Sequence, residues 1–177
     1  MSDIVVVYKS KYGYSEKYAK WISDALSADI FRTNQIKPDK LKSYSNIIYC
    51  GGLYAGNILG FSLIKKNYSG LRNKKLIIAA VGATLKNDEA KEELKTKNLT
   101  DEMKNKVHFF SLRGGLDYKK LTALDRLLMY MMYKYIKKKD PEKLDNDSKG
   151  FLETYGKTVD FTDKKAIDPI IELAKKQ

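Results

Sequence analysis

The sequence predicts a doubly wound α/β domain: a parallel five-stranded sheet with helices on both faces and a long helical insertion before the last helix. Three observations carry this fold class. Apolar runs recur at residues 4–8, 47–50, 76–81 and 107–112, with a weaker one at 29–32, and helical periodicity fills the intervals. Strands alternating with helices form right-handed βαβ units and a parallel sheet. The first run, Ile4-Val5-Val6-Val7-Tyr8, is apolar without alternation, as a strand covered on both faces is. Glycine follows every strong run, at Gly13, Gly51-Gly52, Gly82 and Gly114-Gly115. Open α/β sheets bind ligands outside the carboxyl ends of their strands, where glycine admits close approach of backbone.

In chain order, the first strand empties into Ser10-Lys11-Tyr12-Gly13-Tyr14-Ser15. A helix is expected from 15 to about 26, with Tyr18, Ile22 and Leu26 spaced for one buried face. A short helix follows Pro38, anchored by Leu41, and a third from about 61 to 68 turns Leu63 and Ile64 inward. The charged stretch 87–106, which contains Leu94, Leu99 and Met103, reads as a solvated surface helix. The last helix follows Asp160-Phe161-Thr162-Asp163 and carries Ile167, Ile170, Ile171 and Ala174; Pro169 either kinks it or marks its true first turn behind Asp168. Residues 116–157, before that helix, are too many for an ordinary connection, and segments of this size are usually functional. Their centre, 121–138, reads as one helix. Leu121, Leu124, Leu127, Leu128, Met129, Met131, Met132, Tyr135 and Ile136 cover about half its circumference. Arg126, Tyr130, Tyr133, Lys134 and Lys137 lie opposite, and Asp125 falls inside the apolar arc, where it needs a partner. Asp140-Pro141-Glu142 ends the helix, and 143–150 is polar.

Length bounds the organisation: 177 residues fit one domain, 1–177, with the insertion inside it. An apolar share of 43% and a charged share of 32% describe an ordinary soluble globular protein. A spanning helix is not expected, because no stretch of about eighteen uncharged apolar residues occurs. Met1-Ser2-Asp3 runs straight into a strand, so no secretory leader is expected, and the lone Cys50 fits a reducing cytoplasm. Thirty-four basic against twenty-two acidic residues leave +12, which points to an anionic partner: a membrane surface, nucleic acid or an acidic protein. No element for reading DNA is present, so nucleic acid is not expected. His108 lies inside a predicted strand, a poor place for a catalytic base, and Cys50 ends a buried strand, where packing is its role. No Cys/His cluster marks a metal site, and no catalytic residue is assigned.

The turn after the first strand carries the chemistry. Backbone N–H groups, the hydroxyls of Ser10 and Ser15 and the positive end of a helix dipole together make an anion site. Neither G-x-x-x-x-G-K-[ST] nor G-x-G-x-x-G is present, so ATP, GTP and a Rossmann-bound nicotinamide lose ground. A hydroxyl-rimmed turn with one glycine suits a monophosphate.

Ser10-Lys11-Tyr12-Gly13-Tyr14-Ser15 resembles the phosphate loop of flavodoxins, [ST]-x-T-G-x-[ST], with Ser10, Gly13 and Ser15 in place and Tyr12 where threonine is usual. Gly51-Gly52-Leu53-Tyr54-Ala55-Gly56-Asn57 stands where that family places one wall of the flavin ring. Leu116-Asp117-Tyr118 and the Met/Tyr-rich helix resemble a narrower group, the flavodoxin-like proteins related to menaquinone-dependent protoporphyrinogen dehydrogenase. The resemblance implies bound FMN, with the 10–15 turn on its phosphate. It places Leu53, Tyr54, Ala55, Gly56 and Asn57 beside the isoalloxazine and Gly82-Ala83-Thr84 on ribityl or ring. The third loop has no aromatic residue to stack, which leaves Tyr118 as candidate for the second wall.

Three functions follow. An FMN-dependent oxidoreductase would take electrons from a lipophilic or porphyrinogen-like substrate and pass them to a quinone. Its insertion helix would then meet an anionic membrane at the inner face or the substrate itself; the same helix could instead pack on its own sheet or on a second subunit. A flavodoxin-type shuttle would serve an acidic redox protein. A scaffold domain would keep the fold and lose the flavin. The oligomeric state is not legible.

Overall fold

The structure, a computed structural model, describes residues 2–83 and 88–176. In chain order it contains β1 (Ile4–Lys9), α1 (Tyr14–Leu26), β2 (Asp29–Arg32), α2 (Pro38–Lys42), β3 (Asn46–Tyr54), β4 (Asn57–Ile58), α3 (Ser62–Lys66) and β5 (Lys75–Gly82). It continues with α4 (Asp88–Asn98), α5 (Asp101–Lys104), β6 (His108–Arg113), β7 (Gly115–Leu116), α6 (Ala123–Lys137), α7 (Asn146–Thr154), β8 (Val159–Asp160) and α8 (Asp168–Lys175). Contacts divide the chain into two compact units, residues 1–114 with 162–177, and residues 115–161.

The first unit is the expected doubly wound sheet. Its strands run parallel in the order β2-β1-β3-β5-β6, and β4 adds an antiparallel rung to β3. The chain steps from β1 outward to β2, then returns past β1 to β3, so the winding reverses between β1 and β3. Sheets of this order open a crevice at that point, outside the strand ends. Side chains alternate between two cores, as the period of a strand requires. Val5, Val7, Ile47, Tyr49, Leu76 and Ile78 face Leu41, Ile64, Leu71 and Met103. Val6, Ile48, Cys50, Ile77, Ala79 and Val81 face Tyr18, Ala19 and Ile22 of α1 and Ile170 and Ala174 of α8. Pro169 stands in the first turn of α8, so the proline starts this helix behind a 3-10 turn at Lys164–Ile167.

Three sequence expectations are corrected here. β3 does not stop at Cys50: it runs through Gly51 and Gly52 to Tyr54, because Gly51 and Gly52 pair with Ala80 and Val81 and the ladder overrides weak strand propensity. The stretch expected as one solvated helix over 87–106 is two, α4 and α5, broken where Thr100 accepts the Met103 N–H as an N-cap. Leu94, Leu99 and Met103 are buried, and Asn87 lies outside the described residues. The polar stretch after Pro141 contains α7, capped by Asp145, whose Oδ1 accepts the Ser148 N–H at 2.6 Å.

The second unit is closed by the antiparallel pair β7–β8, Gly115 opposite Asp160 and Leu116 opposite Val159. Its interior is aromatic. Tyr133 of α6 stacks on Tyr155 with centroids 4.2 Å apart, and Tyr118 and Phe151 approach the same ring at 5.3 and 6.0 Å. Asp125, Met129, Tyr133 and Ile136 form the covered face of α6, so the carboxylate within the apolar pattern is buried. The wider apolar arc faces outward. Among the described residues, the large apolar side chains that stand exposed are Leu124, Leu127, Leu128, Tyr130, Met131, Met132 and Tyr135, all on α6. No helix among the described residues is long and apolar enough to cross a membrane.

Candidate functional site

The turn from β1 to α1 is built to leave a helix end open. Ser10 Oγ accepts the Gly13 N–H at 2.9 Å, which folds residues 10–13 into a tight turn. Gly13 stands at φ +96°, a left-handed conformation that penalises any side chain, and beyond its chain neighbours nothing lies within 4 Å of the place a Cβ would occupy. It is also the N-cap of α1, which begins without a capping side chain; the first intrahelical bond runs from the Lys17 N–H to the Gly13 carbonyl at 2.9 Å. α1 thus starts at a glycine with open space beside it and with no capping side chain, and the positive end of its dipole lies there, the arrangement an anion needs. Ser15 is buried in that turn, and a Cβ on Gly52 would come within 3.1 Å of its Oγ, so the end of β3 closes one side. Glu16 is the acid nearest in sequence. Its hydrogen bond to Lys20 holds its carboxyl below the usual glutamate range, and ion pairs to Lys20 at 3.0 Å and Arg32 at 3.3 Å balance its charge.

The second loop is a β-hairpin. Ala55 and Gly56 form its turn at φ +48° and +75°, and positive φ at both central residues twists the turn to match its strands. An alanine there is strained by about 1–2 kcal/mol, and the neighbouring helix fixes it in place. Lys97 Nζ donates to the Ala55 carbonyl at 2.9 Å. Asn98, buried at the end of α4, accepts the Ile58 N–H at 2.8 Å and donates to the Gly56 carbonyl at 3.0 Å and the Leu94 carbonyl at 2.9 Å. Both residues escape the sequence reading, because a lysine and an asparagine in a charged helix look like solvated surface. Lys11 reaches back across the crevice: its Nζ lies 4.2 Å from the centroid of the Tyr54 ring and 5.4 Å from that of Tyr12.

Further along the same sheet edge, Gly82 packs under Leu53, whose Cδ1 would lie 3.0 Å from an added Cβ, and the Gly82 carbonyl accepts the Gly114 N–H at 2.6 Å. The structure thus brings Ser10, Lys11, Tyr12, Gly13, Ser15, Leu53, Tyr54 and Gly82 to the carboxyl ends of β1, β3 and β5. Tyr14 is half-buried behind the turn, Ala55 and Asn57 are exposed at the hairpin tip, and Ala83 is exposed after β5. Thr84 lies outside the described residues. Tyr118 belongs to the second unit, where its ring stands edge-on to Tyr155.

These features fit a phosphorylated cofactor: an open glycine cradle at an uncapped helix end, a buried hydroxyl beside it, and an aromatic ring with a cation over it on the adjoining loop. Thiol chemistry is not available to Cys50, because burial pushes its thiol up to about 12 and keeps it protonated. No group of acidic, histidine or cysteine side chains suited to a metal occurs among the described residues.

A family model described as "Flavodoxin domain" matches residues 5–143 of the chain. An uncharacterized protein of Methanocaldococcus jannaschii is 38% identical over 53 residues, which span 29% of this chain and 35% of that protein. Among solved structures, the Trp repressor binding protein of Bacillus subtilis is 13% identical with a TM-score of 0.47, covering 63% of this chain and 83% of that one. Two-electron reduced flavodoxin of Megasphaera elsdenii is 16% identical with a TM-score of 0.44, covering 61% and 84%. The WrbA-like flavodoxin of Agrobacterium tumefaciens is 17% identical with a TM-score of 0.41, covering 60% and 80%.

Proposed function

The chain belongs to the flavodoxin domain family, and on that premise we propose that it is an FMN-dependent oxidoreductase that moves electrons between a lipophilic or porphyrinogen-like substrate and a quinone. The observation that carries the cofactor site is Gly13, left-handed and open at the uncapped start of α1. The 10–15 turn would hold the phosphate through first-turn N–H groups and the hydroxyls of Ser10 and Ser15, with Lys11 a cation of the same turn. Leu53, Tyr54, Ala55, Gly56 and Asn57 would flank the ring system, and Gly82 and Ala83 would offer backbone to ring or ribityl. Bound FMN supplies reversible one- and two-electron chemistry; the protein sets position, charge and access. Lys97 and Asn98 hold the turn of the hairpin through its Ala55 and Gly56 carbonyls, which would pre-position Tyr54 for the cofactor. The narrower kinship, with the protoporphyrinogen dehydrogenase-like group, is supported by Leu116-Asp117-Tyr118 and by the Met- and Tyr-rich α6. We also propose that residues 115–161 are an insertion of the flavodoxin domain and work with it in the cell's cytoplasm.

A second reading has its own observation. Lys11 and Lys97 bring two ammonium groups to the hairpin that would flank the ring, and such a rim suits an acidic electron-transfer protein. On that reading the chain is a shuttle.

FMN titration by flavin fluorescence tests the site. FMN should bind with a Kd below about 10 µM, riboflavin at least about tenfold more weakly for want of charge-assisted bonds to the phosphate, and Gly13→Val should abolish binding. Equal affinity for FMN and riboflavin would move the site elsewhere. Mixing the reduced flavoprotein with a soluble quinone or with an acidic redox protein then separates enzyme from shuttle.

A further inference from the structure

We infer that α6 is an interfacial helix that lays its outward arc on an anionic phospholipid bilayer. At 100° per residue, Leu127, Met131, Leu124, Tyr135, Leu128 and Met132 occupy a continuous arc of about 140°. None of them is covered: Leu124 is 62% exposed and Met131 58%. The helix is otherwise well made. Thr122 Oγ1 caps it by accepting the Asp125 N–H at 3.2 Å, and its other face packs in the aromatic interior of its own unit. The exposed arc is therefore not the side on which the helix is held.

The charges decide the occupant. Arg126, Lys134 and Lys137 lie on α6, and Lys138 and Lys139 follow at once, whereas the one carboxylate of the helix, Asp125, is buried. A second copy of this helix would bring a cationic surface against a cationic surface with no exposed acid to answer it. A bilayer with anionic headgroups satisfies both halves of the pattern: apolar side chains enter the headgroup–acyl boundary and lysines stay among the phosphates. Two exposed tyrosines sit one turn before a lysine and hold its ammonium over the ring, Tyr130 with Lys134 at 5.5 Å and Tyr135 with Lys139 at 4.7 Å. Tyrosine and lysine stems are the side chains that bridge apolar and aqueous layers. The fifteen residues of α6 are too few to span a bilayer, which leaves the surface.

The test uses the full chain and vesicles of phosphatidylcholine with and without phosphatidylglycerol. Co-sedimentation should occur with the anionic vesicles and fall at least about tenfold between about 50 and 500 mM NaCl. Leu124→Ser, Leu127→Ser and Met131→Ser together should abolish it while thermal unfolding and the FMN titration stay unchanged. Lys134→Glu, Lys137→Glu and Lys138→Glu together should weaken binding more than about tenfold; this variant keeps the reading testable if the serine variant fails to fold. The inference is overturned if wild type binds neither vesicle, binds both equally, or binds as well after charge reversal. It is also overturned if light scattering shows a dimer that the serine variant dissolves. FMN bound without vesicle binding removes this inference alone, and vesicle binding without FMN removes only the cofactor site.

Discussion

α1 and α6 are both amphipathic helices, and they are finished in opposite ways. α1 buries Tyr18, Ala19 and Ile22 on the sheet and leaves its N-terminus without a capping side chain. α6 caps its N-terminus with Thr122 and leaves most of its apolar arc uncovered. The same periodicity thus serves two ends. In α1 the stripe supplies stability and the open end is the proposed site; in α6 the end is sealed and the stripe is the proposed docking face. An apolar pattern states that a helix has a face and is silent about what will cover it.

The largest expected effect puts that contrast to a stability measurement. Ile22→Ala removes a fully buried side chain and should cost about 2–5 kcal/mol in denaturant unfolding. Leu127→Ala, on the exposed arc, should stay within about 0.5 kcal/mol of wild type. A large loss at Leu127 would mean that the arc is covered in the protein alone and would break the comparison.

A smaller pair of substitutions contrasts the two helix starts. Ser15→Ala should weaken FMN binding by about 0.5–1.5 kcal/mol, the worth of one hydrogen bond. Thr122→Ala should cost about 1 kcal/mol of stability as a lost cap and leave the FMN titration where it was. If Thr122→Ala also shifts FMN affinity, the two ends are not separate in function.

The smallest effect is electrostatic and lies in α1. The folded protein holds the Glu16 carboxyl below its ordinary range through Lys20 first and Arg32 after it. Its contribution is therefore present above the unfolded value and is lost as pH falls through the lower, folded one. Glu16→Gln should lower stability at neutral pH by about 0.3–0.5 kcal/mol, as a partly solvated i,i+4 pair allows. The difference from wild type should vanish in acid; an undiminished difference there would show that Glu16 acts through packing.

Much of the fold is legible because doubly covered strands write themselves as apolar runs: β1, β5 and β6 are visible to within a residue or two. β3 beyond Cys50 is not, because glycines carry it and only the partner strand makes them a strand. α7 has no apolar period to announce it, and its cap at Asp145 is a local signal that a polar neighbourhood hides. The candidate site is legible as three loops after three strands, since glycine and serine in those places have a mechanical meaning. The brace behind the second loop is not. Asn98 stands 42 residues from Gly56, and nothing local in a charged helix reveals that its amide will satisfy a distant hairpin.

The completely enclosed Cys50 has a practical consequence. β3 lies between β1 and β5, in the middle of the sheet, and holds the single thiol of the chain. A thiol-labelling reagent attacks the thiolate, which the folded protein neither exposes nor forms near neutral pH. Alkylation must therefore wait until the central strand opens. The rate of mass gain in excess reagent counts those openings and gives the domain a native chemical clock for its rarest motion.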